Sequence, residues 1–355
     1  MNPLKFILVG VGNRGCWAVR RVTENPLTEV VAMVDRNREF LEKAAATTLL
    51  PESRWFCDLE EALREVEADA IIICTPTLTH KPFSELGFRY GKHVLVEKAM
   101  THDYSEAEEL VRKAEEAGVR FCVAQNYSWM SHNEKMKAIL DDPSNPYHPG
   151  EIALADIYCY RFRPEPRTMT YPWAMVWDMA CHHSDIFNYW FGQPAEVLHA
   201  RSFNPEWSTY PYHSNITADL RIGDKIFGNY LLYHSSTLAE TRIIVQGDRG
   251  VLEVNDRRGI LFYPRPLAQF QGSEPVLVEL DNGITDDGCK EVLESFCQYI
   301  LGGGEPRTSG RNNLAVLTMC RDLIAKAKAN PEFRGEAFAV RERPLTAGPS
   351  LTKAG

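Results

Sequence analysis

No two of the nine cysteines, at 16, 57, 74, 122, 159, 181, 289, 297 and 320, form a Cys-x-x-Cys pair. The spacing therefore offers neither a structural zinc site nor a redox dithiol. The cysteines read as small apolar residues of a reducing compartment. No apolar run is long enough to cross a bilayer. No block of Lys and Arg marks a polyanion or membrane surface, and a formal net charge of −9 argues against both partners. Internal repeats and low-complexity tracts are missing too, which excludes a solenoid. Met1-Asn2-Pro3-Leu4-Lys5 leads straight into an apolar segment, so no signal peptide is expected and the cytoplasm is the expected location.

What is present alternates. With 355 residues the chain has room for two domains. Up to about residue 125, short apolar strands alternate with amphipathic helices. Ala70-Ile71-Ile72-Ile73-Cys74 has no polar alternation at all, the mark of a parallel strand buried on both faces. This rhythm predicts a doubly wound parallel sheet over 1–125. Over 126–355 the rhythm changes. A helix is expected at 132–140, a strand at 154–160 and then one helix at 178–191. Strands follow at 196–202, 216–222, 225–233, 241–246, 251–254, 260–263 and 276–280, joined as an antiparallel meander, and two helices close the chain. The fold class is α/β, with a large, mostly antiparallel open sheet in the second part. Ile226 to Tyr233 carries large apolar residues at both alternating positions. A solvated outer face would be polar, so a homodimer or homotetramer joined through this sheet is expected.

The first strand ends in Gly10-Val11-Gly12-Asn13-Arg14-Gly15, and Asp35 closes the next strand twenty residues past Gly15. Gly10 permits the tight turn, Gly12 the approach of a pyrophosphate, and Gly15 the close packing of the following helix. The pyrophosphate would sit on N–H groups at that helix's N-terminus. The Asp35 carboxylate can accept from both ribose hydroxyls and repels a 2′-phosphate, so NAD is expected over NADP, with Arg36 beside it softening the preference. A turn residue ending a strand is the alternative reading of Asp35.

Asp178 and His182 are four apart on a predicted helix, where a carboxylate orients an imidazole. His182 is then the general base for alcohol oxidation, and His183, rotated about 100° away, ranks below it. Lys98 follows a strand near the carboxyl edge of the sheet, where ligands of open α/β folds bind. Its ammonium can stabilise alkoxide character on the reacting oxygen, with Glu97 holding it. A helix cap, a core histidine and a solvated lysine are the alternatives. Arg161, Arg163 and Arg167 can clamp an anion or lie on a solvated loop. Tyr127, Trp129, Tyr171, Trp173 and Trp177 can stack on a sugar or fill an interdomain core. Asp178, His182 and Asp185 have the types of a metal site, but no further ligand pattern appears and no metal is expected.

Together these residues resemble the Gfo/Idh/MocA family, the glucose–fructose oxidoreductase and inositol dehydrogenase group. The resemblance rests on Gly10, Gly12 and Gly15 with Asp35, on Cys74-Thr75-Pro76 with His80, and on the run from Gly91 to Lys98. It continues in Asp178-x-x-x-His182-x-x-Asp185 and in Gly303-Gly304-Glu305-Pro306. It implies a Rossmann domain, a C-terminal α/β domain, NAD(P) and a sugar or polyol substrate. Lys98, Asp178 and His182 map onto the family's catalytic positions. Cofactor contacts are implied for Gly10, Gly12, Asn13, Arg14, Gly15, Asp35, Arg36, Thr75, Pro76, His80, Glu97, Lys98 and Gln125. Substrate contacts are expected of Lys98, Asn126, Tyr127, Arg161, Arg163, Trp173, Asp178 and His182. Ala99 replaces the proline that follows the family's lysine. A cis bond costs a non-proline residue roughly 3 kcal/mol, so a trans Lys98–Ala99 bond is expected. The expected activity is an NAD-dependent dehydrogenase acting on a CH–OH group of a sugar, sugar derivative or cyclic polyol. The alternatives are a glycoside-cleaving enzyme working by transient C3 oxidation, and a dinucleotide-binding regulator without catalysis.

Overall fold

The structure is a computed structural model that describes residues 2–162, 171–208, 210–256, 258–266, 272–280, 287–335 and 337. Six strands form a parallel sheet: β1 (Leu4–Val9), β2 (Thr28–Val34), β3 (Trp55–Phe56), β4 (Ala70–Ile73), β5 (His93–Glu97) and β6 (Phe121–Ala124). Their order is β3-β2-β1-β4-β5-β6. The uninterrupted apolar run of β4 is buried along its whole length, as a strand covered on both faces must be. Helices α1 (Cys16–Glu24) and α2 (Arg38–Thr48) cover one face. Helices α3 (Leu59–Glu65), α4 (His80–Arg89) and α5 (Tyr104–Glu116) cover the other.

After α6 (Ser131–Asp141), β7 (Ile152–Phe162) and α7 (Cys181–Phe191) come β8 (Ala195–Phe203), β9 (Asn215–Ile222), β10 (Ile226–Tyr233) and β11 (Ser235–Gly247). Three more strands follow: β12 (Gly250–Asn255), β13 (Gly259–Pro264) and β14 (Val276–Val278). Helices α8 (Cys289–Ile300) and α9 (Gly310–Ala329) close the fold. The second sheet runs β14-β13-β12-β11-β7-β10-β9-β8. The meander fails at one place. Strands β10 and β11 are consecutive in the chain, yet β7 lies between them, parallel to β10 and antiparallel to β11. His234 alone carries the chain across the end of β7. The Asn215 side-chain oxygen Oδ1 holds this arch, accepting from the N–H groups of His234 at 2.8 Å and Ser235 at 3.2 Å. Gly228 makes the insertion possible, since a Cβ there would lie 1.8 Å from the Ala155 carbonyl oxygen. Long-range pairing of this kind leaves no mark in the local pattern.

Helix α8 belongs to the second part by sequence but packs on the first sheet. Val292, Leu293 and Phe296 join the core under α1, and the rings of Phe296 and Phe6 meet edge-on at 6.3 Å. On β10, Tyr230 and Leu232 face inward while Phe227, Leu231 and Tyr233 face outward, with Phe227 51% exposed. Among the described residues, no helix is long and apolar enough to cross a membrane.

Candidate active site

The glycine turn is built as its sequence requires. Gly10 has φ +80°, and Cβ atoms at Gly10 and Gly15 would lie 2.9 Å and 1.9 Å from the carbonyl oxygens of Cys74 and Gly10. Helices α2, α3 and α5 are capped by Asn37, Asp58 and Asp103 side chains, but α1 begins at Gly15 with no side-chain cap and no acidic residue in its first turn. Its N-terminal N–H groups are thus left for an anion. A cavity of about 440 Å³ runs from Asp35, Arg36 and Cys57 past Gly12, Asn13 and Arg14 to Thr75 and Pro76. A glycine cradle at the uncapped helix and a carboxylate at the far end fit a dinucleotide. The Asp35 carboxylate also braces the turn, accepting from the N–H groups of Val11 and Asn37, each at 2.9 Å.

His80 and Glu97 are buried and hold residues that line the cleft, Thr75 and Arg14. The His80 ring nitrogens lie 2.8 Å from the carbonyl oxygens of Ala99 and Thr75, and burial lowers the ring's pKa. Glu97 is buried and accepts from the Trp17 indole N–H at 2.8 Å and from the Lys98 backbone N–H at 3.0 Å. It also pairs with the Arg14 guanidinium at 2.7 Å. It therefore anchors the glycine turn, and the Lys98 ammonium, which it was expected to hold, goes elsewhere. The Lys98–Ala99 bond is cis, against the trans bond expected. Intrinsic isomer preference is only one term. Here the Ala99 side chain is buried and its carbonyl is held by His80.

The expected Asp178–His182 pairing is replaced by another arrangement. Residues Val176–Ala180 form a π-turn ahead of α7, so the two side chains do not share the α-helical register that the four-residue spacing implies. Asp178 turns to Lys98. The ammonium donates to the carboxylate at 2.5 Å and to the Asp178 backbone carbonyl at 3.1 Å. Burial pulls the Lys98 pKa down, but Asp178, Cys181 and Glu97 outweigh it and the net shift is upward. His182 instead meets Gln125, which follows β6. The Gln125 side-chain nitrogen lies 2.9 Å from His182 Nδ1, and the Tyr127 ring stacks on the imidazole with centroids 3.6 Å apart. Burial raises the Tyr127 pKa, opposed by the charges of Lys98 and Arg161. Lys98, Asp178, His182, Gln125 and Tyr127 thus gather at the carboxyl ends of β5 and β6, facing the start of α7.

Other residues expected at the substrate hold protein partners. Asn126 donates to the Asp287 carbonyl at 2.7 Å. Arg161 donates to Thr241 Oγ1 at 2.7 Å and pairs with Asp256. Arg163 and Arg167 fall outside the described residues. Trp173, expected at the substrate, is 3% exposed and stacks on His213 at 4.4 Å, while Trp129 lies under the Arg307 guanidinium. His183 points inward to the Tyr230 hydroxyl at 2.9 Å, and burial lowers its pKa to about 3. No cluster of three or more metal-ligand types occurs among the described residues. The sequence reading missed the roles of Gln125, Glu97 and Trp17. A polar residue directly after a buried strand at the sheet's carboxyl edge was the available signal for Gln125.

Asp185 is a buried carboxyl beside the site. Burial raises its pKa to about 6, against the Ser128 hydrogen bonds and the Arg307 charge. A carboxyl with a raised folded-state pKa contributes most stability below its unfolded value near 4 and loses it as pH rises through about 6. Asp185→Asn keeps an acceptor for the Ser128 N–H and removes the charge. Thermal unfolding should show a gain of up to about 3 kcal/mol at pH 7.5 and almost none at pH 4. An equal effect at both pH values would remove the titration from the account.

Comparison with known proteins decides the family. Residues 4–125 match the GFO_IDH_MocA model, described as an oxidoreductase family with an NAD-binding Rossmann fold, and residues 172–329 match its C-terminal alpha/beta domain. The chain belongs to the Gfo/Idh/MocA oxidoreductase family. Inositol 2-dehydrogenase of Rhodococcus jostii is 28% identical over 200 residues, which is 56% of this chain and about half, 52%, of that protein. The y4oX protein of Sinorhizobium fredii is 22% identical over 93% of this chain and 94% of its own. Among solved structures, the WlbA dehydrogenase of Bordetella pertussis, in complex with NADH and UDP-GlcNAcA, superposes with a TM-score of 0.74 at 20% identity. That alignment covers 92% of this chain and 97% of WlbA, and it bears on the fold alone. For this Gfo/Idh/MocA chain, the six-stranded parallel sheet is the NAD-binding unit and the eight-stranded sheet is the C-terminal α/β unit.

Proposed function

We propose that the protein is an NAD-dependent dehydrogenase acting on a secondary alcohol of a sugar, sugar derivative or cyclic polyol. The observation that carries this reading is the gathering of Lys98 with Asp178, and of His182 with Gln125 and Tyr127, at the carboxyl ends of β5 and β6, the sheet edge that also carries the glycine turn. When bound, the nicotinamide exchanges hydride with the substrate carbon. The chain's own residues do the rest. Gly10 to Gly15 and the start of α1 hold the pyrophosphate, and Asp35 takes the ribose hydroxyls. Lys98, kept charged by Asp178, donates to the reacting oxygen and stabilises its developing charge. His182 takes the hydroxyl proton in oxidation and returns it in reduction. Tyr127 holds the imidazole plane. The dehydrogenase name of the Rhodococcus relative supports the reaction class. A panel of sugars, inositols and glycosides, followed by NADH absorbance, tests it. No absorbance change and no product with any member would defeat the proposal, whereas release of a free aglycone without net NADH would favour glycoside cleavage.

Asp35 supports NAD over NADP. The expected result is a higher kcat/KM with NAD in the native protein, and a narrower ratio in Asp35→Ala, which no longer repels a 2′-phosphate. Faster use of NADP by the native protein contradicts this.

We also propose that two chains pair through the outer face of the second sheet, where Phe227, Leu231 and Tyr233 stand beside Leu154, Tyr158 and Tyr160 of β7. Light scattering at micromolar concentration should give a multiple of 40.3 kDa, and Leu231→Asp should bring the mass down to one chain. A native mass of one chain would end the idea.

A further inference from the structure

We infer that His80 is a positioning residue: its imidazole ties the wall of the dinucleotide cavity at Thr75 to Ala99, the neighbour of Lys98, and both ties hold at once only while the ring carries two protons. The inference rests on the placement of NAD in the glycine-turn cavity and on none of the chemistry proposed for Lys98 and His182.

His80 opens α4 and is 1% exposed. Its Nδ1 lies 2.8 Å from the Ala99 carbonyl oxygen, and its Nε2 lies 2.8 Å from that of Thr75. A carbonyl oxygen can only accept, and a neutral imidazole has one N–H to give. With one proton, one of the two contacts would set a ring lone pair against a carbonyl lone pair. The doubly bonded geometry is therefore that of the imidazolium. Burial is the largest influence on the ring and lowers its pKa, against the two carbonyls and the Glu97 carboxylate, which raise it. The Lys98 charge adds to the lowering. On the packed helices, Glu106 and Glu109 of α5 meet Lys81, and Glu60 of α3 meets Arg64. The second proton is thus lost at a pH below the ordinary histidine value of about 6.5. Burial also decides which proton stays. The contact to Ala99 is buried, whereas the contact to Thr75 is only partly so. An orphaned carbonyl costs more where water cannot reach it, so the neutral ring keeps Nδ1–H on Ala99 and lets Thr75 go. Thr75 lines the cavity, and its methyl group lies 2.9 Å from where a Cβ on Gly10 would stand. Its release loosens the wall beside the glycine turn, so NAD binds more weakly as pH rises through the His80 midpoint.

The test is NAD affinity from pH 4.5 to 8, read by tryptophan fluorescence on the native protein and on His80→Asn, together with nitrogen NMR of protein labelled with 15N-histidine. The Asn amide nitrogen takes the place of Nδ1 and has no proton to lose in this range. The variant therefore keeps the Ala99 tie and lacks the Thr75 tie at every pH. Native affinity should fall about fivefold with rising pH, the worth of one hydrogen bond, and His80→Asn should sit at the weaker native value throughout. In the spectra, His80 should carry N–H on both nitrogens at the acid end and on Nδ1 alone at the alkaline end. Binding and protonation are linked, so NAD should raise the His80 midpoint by about 0.7 unit, the same fivefold factor. Native affinity that ignores pH, a His80→Asn curve parallel to the native one, or a neutral ring with its proton on Nε2 overturns the inference. No NAD binding at any pH would overturn the cavity assignment with it. If His80→Asn does not fold, His182→Asn carries the test, with that ring out of the site. A histidine with slowly exchanging ring protons, whose midpoint NAD raises, must still be present there, and its absence overturns the inference.

Discussion

Lys98→Met and His182→Asn are each expected to keep dinucleotide affinity and to lose turnover by a factor on the order of 10² or more, the range of lost acid–base and charge assistance. Both side chains stand at the meeting of β5, β6 and α7, and neither lies in the glycine turn. Titration with NAD, followed by kcat on the substrate found in the panel, separates the two effects. Near-native turnover in either variant removes that residue from the reaction. Asp178→Asn adds a sign. Burial is the largest influence on Lys98 and acts downward, while Asp178 is the largest upward one. Without it the ammonium loses its proton at lower pH. The alkaline limb of kcat/KM should move to lower pH, with the acid limb left in place. An alkaline limb that stays put would show that the Lys98 charge is not what the limb reports.

Gly15→Ala should weaken dinucleotide binding on the order of 100-fold, which is about 2.7 kcal/mol. Its Cβ would lie 1.9 Å from the Gly10 carbonyl oxygen and 3.0 Å from the Val11 Cα. All of these neighbours are backbone, so either the turn or α1 must move. Gly304→Ala is the control, because nothing lies within 4 Å of its Cβ. Quenching of tryptophan fluorescence on NAD titration, with Trp17 on α1 as the nearby reporter, gives both constants. Equal constants for the two variants would show that the close packing of Gly15 is not needed for binding.

Much of this was legible from the chain, and the limits are physical. Gly10, Gly12, Gly15 and Asp35 were readable because backbone geometry dictates residue type at each. The buried run of β4 was readable because a strand covered on both faces admits no polar alternation. Asp178 was misread because a π-turn changes which residues share a helix face, and nothing in Val176–Ala180 signals it. Glu97 was misread because its true partners, Arg14 and Trp17, are about eighty residues away. The insertion of β7 between β10 and β11 was invisible for the same reason.

The docking of α8 on the first sheet has a consequence for the order in which the molecule is made. Residues 4–125 leave the ribosome with Phe6, Val22 and Cys122 on a face whose cover by α1 and α2 is completed by Val292, Leu293 and Phe296. Nearly half of the chain, residues 126–300, must still be synthesised before that cover is complete. The nascent first sheet therefore waits with an apolar flank open to water, the condition that invites chaperones and aggregation. A chain cut at residue 125 would keep that flank open.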